Sequence, residues 1–176
     1  MKIAFFDTES TGLTAIMGRI LCASFMDEDG ELETYTYEEY PGTSAIDDSV
    51  LCVAIRDRLE EANMIVGWNS KLHDIPLLNA RLAKAGERGF NPHLHLDLMW
   101  YSAGSSMKIG SRKLDNVAKY FKVKHQKTEL DWDTWSRASA GDGEALDEVV
   151  EHCEADVLVL SDVYEHLLPY VRNIHK

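Results

Sequence analysis

Apolar and polar positions along the chain change rhythm several times, and each change marks an element. Lys2-Ile3-Ala4-Phe5-Phe6 is a short apolar run that predicts a buried strand, ended by the Ser10-Thr11-Gly12 turn. Arg19–Met26 and Glu31–Tyr37 predict two further strands, joined by Asp27-Glu28-Asp29-Gly30, a hairpin signal. Asp47-Asp48-Ser49 reads as the N-cap region of a helix through Asn63, with Val50, Val53, Ala54 and Leu59 as its apolar positions. Met64-Ile65-Val66-Gly67 is a short buried strand. A helix is then expected over Ile75–Ala85, with Pro76 in its first turn and Gly86 beyond its end. His93–Leu96 predicts a short strand, and Asp115–Phe121 and Asp133–Ala138 predict helices. The last element is the clearest. Leu146, Val150, Cys153, Val157, Leu160, Tyr164 and Leu167 recur at alternating intervals of four and three, one continuous stripe that Pro169 ends. Strands paired early, then helices alternating with short strands, predict a mixed α/β sheet covered by helices.

Composition narrows the class. A chain of 176 residues, 45% hydrophobic and 27% charged, is expected to form one globular domain over residues 1–176. No stretch approaches the ~18 apolar residues of a membrane span, so no membrane partner is expected. The N-terminus turns acidic at Asp7, too early for a secretory segment. Cys22, Cys52 and Cys153 are odd in number, far apart and set in apolar segments, which predicts buried free thiols and a cytoplasmic location. The net charge of −12 argues against nucleic acid as a partner, because phosphates favour basic surfaces. Yet between Lys108 and Lys127 lie Lys108, Arg112, Lys113, Lys119, Lys122, Lys124 and Lys127, opposed only by Asp115. That run is either a local basic stripe for phosphates or a solvated face.

Three short carboxylate motifs carry the candidate chemistry. Asp7 and Glu9 sit two apart after the first strand, where their side chains can leave one face. Gly67-Trp68-Asn69 is followed by Asp74-Ile75-Pro76, and His152-Cys153-Glu154-Ala155-Asp156-Val157 lies inside the striped helix. Taken singly, each has an ordinary reading: a polar strand end, a helix N-cap at Asp74, a solvated helix flank at Asp156. Taken together, four acids from three elements repel one another wherever they meet. Their convergence demands a compensating cation, and a two-metal site for phosphodiester hydrolysis is the natural consequence.

In order and spacing the motifs resemble those of the DEDD superfamily of 3′–5′ exonucleases, and most nearly the proofreading domain of family-B DNA polymerases. Asp7-Thr8-Glu9-Ser10-Thr11-Gly12-Leu13 is similar to the first motif. Gly67-Trp68-Asn69 with Asp74-Ile75-Pro76 is similar to the second, and His152 with Asp156 to the third. Trp135 and the run Gly141–Leu146 resemble the lead-in to that last helix. The resemblance implies a ribonuclease H-like mixed β-sheet, with antiparallel first strands, then parallel ones, and helices on both faces. No polymerase palm fits within the chain, so a free-standing exonuclease domain is implied. Asp7, Glu9, Asp74 and Asp156 become the carboxylates for two divalent cations, Mg2+ or Mn2+. Thr8, Ser10 and Leu13 fall to the terminal nucleotide, Asn69 to the neighbouring strand. The implied partners are a single-stranded or frayed 3′ end, with DNA favoured, and a separate polymerase or replication protein. His152 stands where this branch has tyrosine, four residues before the aspartate; the histidine branch spaces it at five. With an ordinary pKa of about 6.5, an imidazole there is expected to serve as the base.

Two other readings compete. His93-Leu94-His95-Leu96-Asp97 places three metal-capable side chains on alternate positions, although Leu98 stands where such hydrolase motifs need histidine; Asp97 as a helix N-cap is the plainer reading. A catalytically weak or inactive exonuclease fold that only binds nucleic acid or serves a polymerase is the non-enzymatic alternative.

Overall fold

A computed structural model describes residues 1–44, 46–104 and 107–174. Five strands form one sheet: β1 (Ile3–Ser10), β2 (Ile20–Asp27), β3 (Leu32–Thr36), β4 (Met64–Gly67) and β5 (Leu94–Asp97). Their order is β3-β2-β1-β4-β5. β1–β2 and β2–β3 pair antiparallel, whereas β1–β4 and β4–β5 pair parallel. The fold is thus a ribonuclease H-like α/β sheet with β1 at its centre, as the motifs imply.

The alternation of β1 explains how helices cover both faces. Ile3 and Phe5 point into a core roofed by α4 (Leu114–Phe121) and α6 (Gly143–Leu167). Ala4 and Phe6 point the other way, against α1 (Ser49–Glu60) and α2 (Asp74–Lys84). Burying one such phenylalanine is worth roughly 2–3 kcal/mol, so a one-residue slip of β1 would forfeit both cores at once. The striped face of α6 meets the sheet through Val157, Leu160, Val163 and Leu167, and its first half packs Leu146, Val149 and Cys153 on Leu21 and Cys22 of β2. Asp142 caps α6 by accepting from the Ala145 N–H at 3.2 Å, and a 3-10 turn over Leu168–Tyr170, containing Pro169, ends it. The helices α3 (Met99–Ser102) and α5 (Trp132–Ser139) complete the set. All three cysteines are free and buried, and among the described residues no helix is long and apolar enough to cross a membrane.

Several boundaries differ from the sequence expectation. β1 does not stop at Phe6: β2 is long enough to pair Asp7 with Ser24, Thr8 with Ala23 and Glu9 with Cys22, and the register breaks only between Glu9 and Ser10. The acids of the first motif therefore belong to a rigid strand, not to the turn after it. α1 ends at Glu60 because Asn63 leaves the helix to pair with Lys2: its N–H reaches the Lys2 carbonyl at 2.8 Å and its side chain accepts from the Lys2 N–H at 2.8 Å. Asp48 holds the N-cap position of α1 but makes no side-chain cap. Its buried carboxylate instead takes Arg81 from α2 and the Ile20 N–H. The short α3 follows Asp97 as the N-cap reading of that residue implies, but its N-cap position is held by Leu98.

Candidate active site

The site lies where β1 and β4 end, under α6 and beside the start of α2, at the carboxyl edge of the parallel strands. Asp7 and Glu9 leave the same face of β1, toward α6. From α6, His152 and Asp156 face them one turn apart. Thr8 leaves the opposite face and donates its hydroxyl to Asp74 Oδ1 at 2.5 Å. Asp74 is the first residue of α2 rather than its N-cap, a position that His73 takes without a side-chain bond. The four acids are gathered as the motifs imply: the charges of Glu9, Asp74 and Asp156 all act on Asp7.

The electrostatics show the cost of this gathering. Burial pushes the Asp7 carboxyl well above its ordinary range, and the charges of Glu9, Asp74 and Asp156 add to it. Burial and the charge of Asp156 push Glu9 up to about 8, with Lys127 pulling the other way. Burial also raises Asp74, against the bond from Thr8. Burial lowers the His152 imidazole, which favours the neutral ring. One internal cation relieves part of the repulsion: the Lys127 ammonium pairs with Asp156 Oδ2. The other oxygen, Asp156 Oδ1, is buried without a hydrogen-bond partner among the described residues, on a residue only 7% exposed. An orphaned buried carboxylate oxygen among raised carboxyls is what a site built for cations presents. One ligand atom each from Glu9, His152 and Asp156 lies within 4.8 Å of the others. The donor set therefore fits divalent metal.

His152 reaches the acids despite its spacing. Its Nε2 stands 3.7 Å from Glu9 Oε1, and its Nδ1 is 2.7 Å from the Thr128 hydroxyl. The loop that brings Lys127 and Thr128 is pinned to α6 by His125, whose N–H and Nδ1 meet Asp162 Oδ2 at 2.8 and 3.0 Å. Thr128 was not singled out in the sequence, and Lys127 only as a member of the basic run. Lys127 closes the basic run, but nothing local distinguishes it from the other lysines there. The run itself divides: Arg112, Lys113 and Lys127 line a groove beside the acids, whereas Lys119 is held by Asp115 at 2.7 Å on the surface.

The second motif is a tight loop with a buried anchor. Asn69 has φ +61°, which asparagine tolerates better than most residues. A Cβ at Gly67 would lie 2.2 Å from Ser70 Oγ, so only glycine fits. Asp97, at the end of β5, accepts from the N–H groups of Asn69 (2.9 Å), Lys71 (3.1 Å) and Met99 (3.2 Å). It holds the loop and accepts from the first N–H of α3, but the N-cap position of that helix belongs to Leu98, so the N-cap expectation is not met. The alternative histidine-rich metal site is not formed: His93 is exposed, and buried His95 is engaged with Ser70 Oγ at 2.9 Å.

Two grooves flank the acids. One, of about 570 Å3, is lined by Asp7, Trp68, Asn69, Leu72, Arg112, Lys113, Lys127 and Asp156. The other, of about 560 Å3, is lined by Thr8, Glu9, Ser10, Leu13, Met17, His73, Trp132 and Trp135. Leu13 stands 83% exposed on its rim, and the Ser10 hydroxyl is turned to the Gly12 carbonyl at 3.0 Å. The first groove carries the basic side chains and the second the tryptophans with Leu13 and Met17, and site carboxylates line both.

Comparison with known proteins agrees with this fold. A search of curated proteins finds no match. Among solved structures, 281 chains match. One is the family B DNA polymerase from the hyperthermophilic archaeon Pyrobaculum calidifontis, with a TM-score of 0.77 and 20% identity. The match covers 96% of this chain and 25% of that one, so the chain spans about a quarter of the polymerase's length. At that identity the likeness establishes the fold. The sequence also matches the RNase_H superfamily over residues 4–168, nearly its whole length, and the chain belongs to that superfamily.

Proposed function

We propose that the protein is a metal-dependent 3′–5′ exonuclease that hydrolyses phosphodiester bonds of DNA or RNA. The observation that carries this reading is the orphaned, buried Oδ1 of Asp156 among the three raised carboxyls of Asp7, Glu9 and Asp74. These four acids would hold two divalent cations, Mg2+ or Mn2+. When bound, such ions lower the pKa of an attacking water and stabilise the leaving 3′-oxygen.

The chain's own residues supply the rest. Thr8 fixes Asp74 from the far face of β1. Lys127 holds Asp156 through its Oδ2, and His152 stands beside Glu9. The groove bounded by Leu13 and Trp132, which Thr8 and Ser10 also line, would take the terminal base. Asn69, Arg112 and Lys113 would hold the strand's preceding phosphates. A single strand or frayed 3′ end, preferably DNA, suits two grooves separated by one cluster of acids. The acidic surface outside the cleft keeps affinity modest, which fits work beside a separate polymerase or replication protein. The buried free thiols suit the reducing cytoplasm.

The test is digestion of 5′-labelled single-stranded DNA and RNA with Mg2+ or Mn2+, comparing wild type with Asp7→Ala. A ladder shortening from the 3′ end, absent in the variant, supports the reading. Intact ends from both proteins would leave only the binding-module alternative.

A further inference from the structure

We propose that His152 is itself a ligand of one catalytic cation, with Thr128 holding its second ring nitrogen, and that this selects Mn2+ over Mg2+. The inference rests on the reading of the site as a metal-dependent nuclease centre. It departs from the base role that the resemblance gives to this position.

Geometry favours the ligand role. In an octahedral site with bonds of about 2.1 Å, adjacent donors lie about 3 Å apart and opposite donors about 4.2 Å apart. His152 Nε2 and Glu9 Oε1 are 3.7 Å apart, between those limits. The ligand atoms of Glu9, His152 and Asp156 all fall within 4.8 Å of one another. A base acting through a metal-bound water would need to stand one water further back. Asp156 is the third member of that group, and its buried Oδ1 has no hydrogen-bond partner among the described residues, Lys127 engaging Oδ2.

The far side of the ring is arranged to match. A histidine that binds metal usually gives its other N–H to an oxygen, which fixes ring and tautomer. Here the Thr128 hydroxyl is 2.7 Å from Nδ1, so accepting that N–H leaves the Nε2 lone pair facing Glu9. The spacing of His152, four residues before Asp156, puts both donors on one face of α6, one turn apart. Nitrogen among the donors disfavours Mg2+, which takes oxygen. The remaining carboxylates suit Mn2+ among the transition ions.

The experiment is pulsed EPR of the metal-free full chain loaded with Mn2+, with Mn2+ and Mg2+ affinities measured by calorimetry. Wild type should show a directly coordinated imidazole 14N, lost in His152→Gln while Mn2+ still binds. The preference for Mn2+ over Mg2+ should fall by about tenfold or more in that variant. Thr128→Val is the second variant. It should shift the remote-nitrogen frequencies and weaken Mn2+ by about tenfold, whether or not His152→Gln folds. Bound Mn2+ without a nitrogen signal, or a signal that survives His152→Gln, would overturn the ligand role and leave the nuclease reading standing. Failure of wild type to bind Mn2+ would overturn both.

Discussion

The Thr8 hydroxyl donates to Asp74 Oδ1 at 2.5 Å, tying the second motif to the first through the face of β1 opposite Asp7 and Glu9. One strand thus serves the site from both its faces. Removing the donor leaves a buried carboxylate less well held and easier to protonate. Thr8→Val should lower nuclease kcat by about 10- to 100-fold and stability by about 1 kcal/mol, with Thr8→Ser close to wild type. Steady-state kinetics and urea unfolding of the three proteins check this.

Asp48 and Arg81 form a buried pair that binds α1 to α2. Arg81 Nε lies 2.9 Å from both Asp48 oxygens, and Arg81 also reaches the Ala15 carbonyl at 3.2 Å. Both side chains are almost fully buried. Taking away one partner strands the other charge. Asp48→Ala should therefore destabilise by about 3–5 kcal/mol, whereas replacing both by apolar residues should cost far less. Denaturant titration of the single and double variants would show equal losses if the pair were unimportant.

The fold was legible because its signals are local. The apolar run of β1, the hairpin at Asp27–Gly30 and the stripe of α6 each state their element without help from the rest of the chain. The acids of the site were legible for a different reason, since their order and spacing match a family pattern. Asp97, Lys127 and Thr128 carry no such mark. Each acts through a partner distant in sequence, Asn69 for the first, Asp156 and His152 for the others, and a single lysine or threonine looks alike in any loop. Asp48 misled for the same reason. A carboxylate before a helix reads as a cap until its distant arginine is seen.

His95 links stability to acidity. Burial against Ser70 lowers its imidazole to about 4, below the ordinary 6.5. The unfolded chain therefore binds a proton between pH 6.5 and 4 that the folded chain refuses. Its contribution is complete above pH 6.5 and is lost as pH falls through that window, by roughly 3 kcal/mol in all. His95→Gln should flatten this part of the stability curve. Unfolding free energies at pH 4.5 and 7 for both proteins measure it, and parallel curves would count against it.

Asp7 and Glu9 act with the opposite sign. Their carboxyls are raised, so the metal-free folded chain holds protons that the unfolded chain releases; for Glu9, pushed up to about 8, stability falls as pH rises from about 4.5 to 8, and Asp7 adds to it in the same direction. Asp7→Asn should raise the metal-free Tm at pH 8, by about 4–8 °C for ~2 kcal/mol, while reducing nuclease activity about a thousandfold. Added Mn2+ should stabilise wild type more at pH 8 than at pH 6, because binding expels those protons. Thermal scans in EDTA and in Mn2+ at the two pH values check both statements.

The convergence of Asp7, Glu9, Asp74 and Asp156 on paired cations is tested most directly by titrating metal-free protein with Mn2+ in a calorimeter at pH 8. Two ions should bind per chain with release of protons, and Asp156→Ala should lose at least one of them. No binding at millimolar Mn2+, or an unchanged isotherm in Asp156→Ala, would contradict the account.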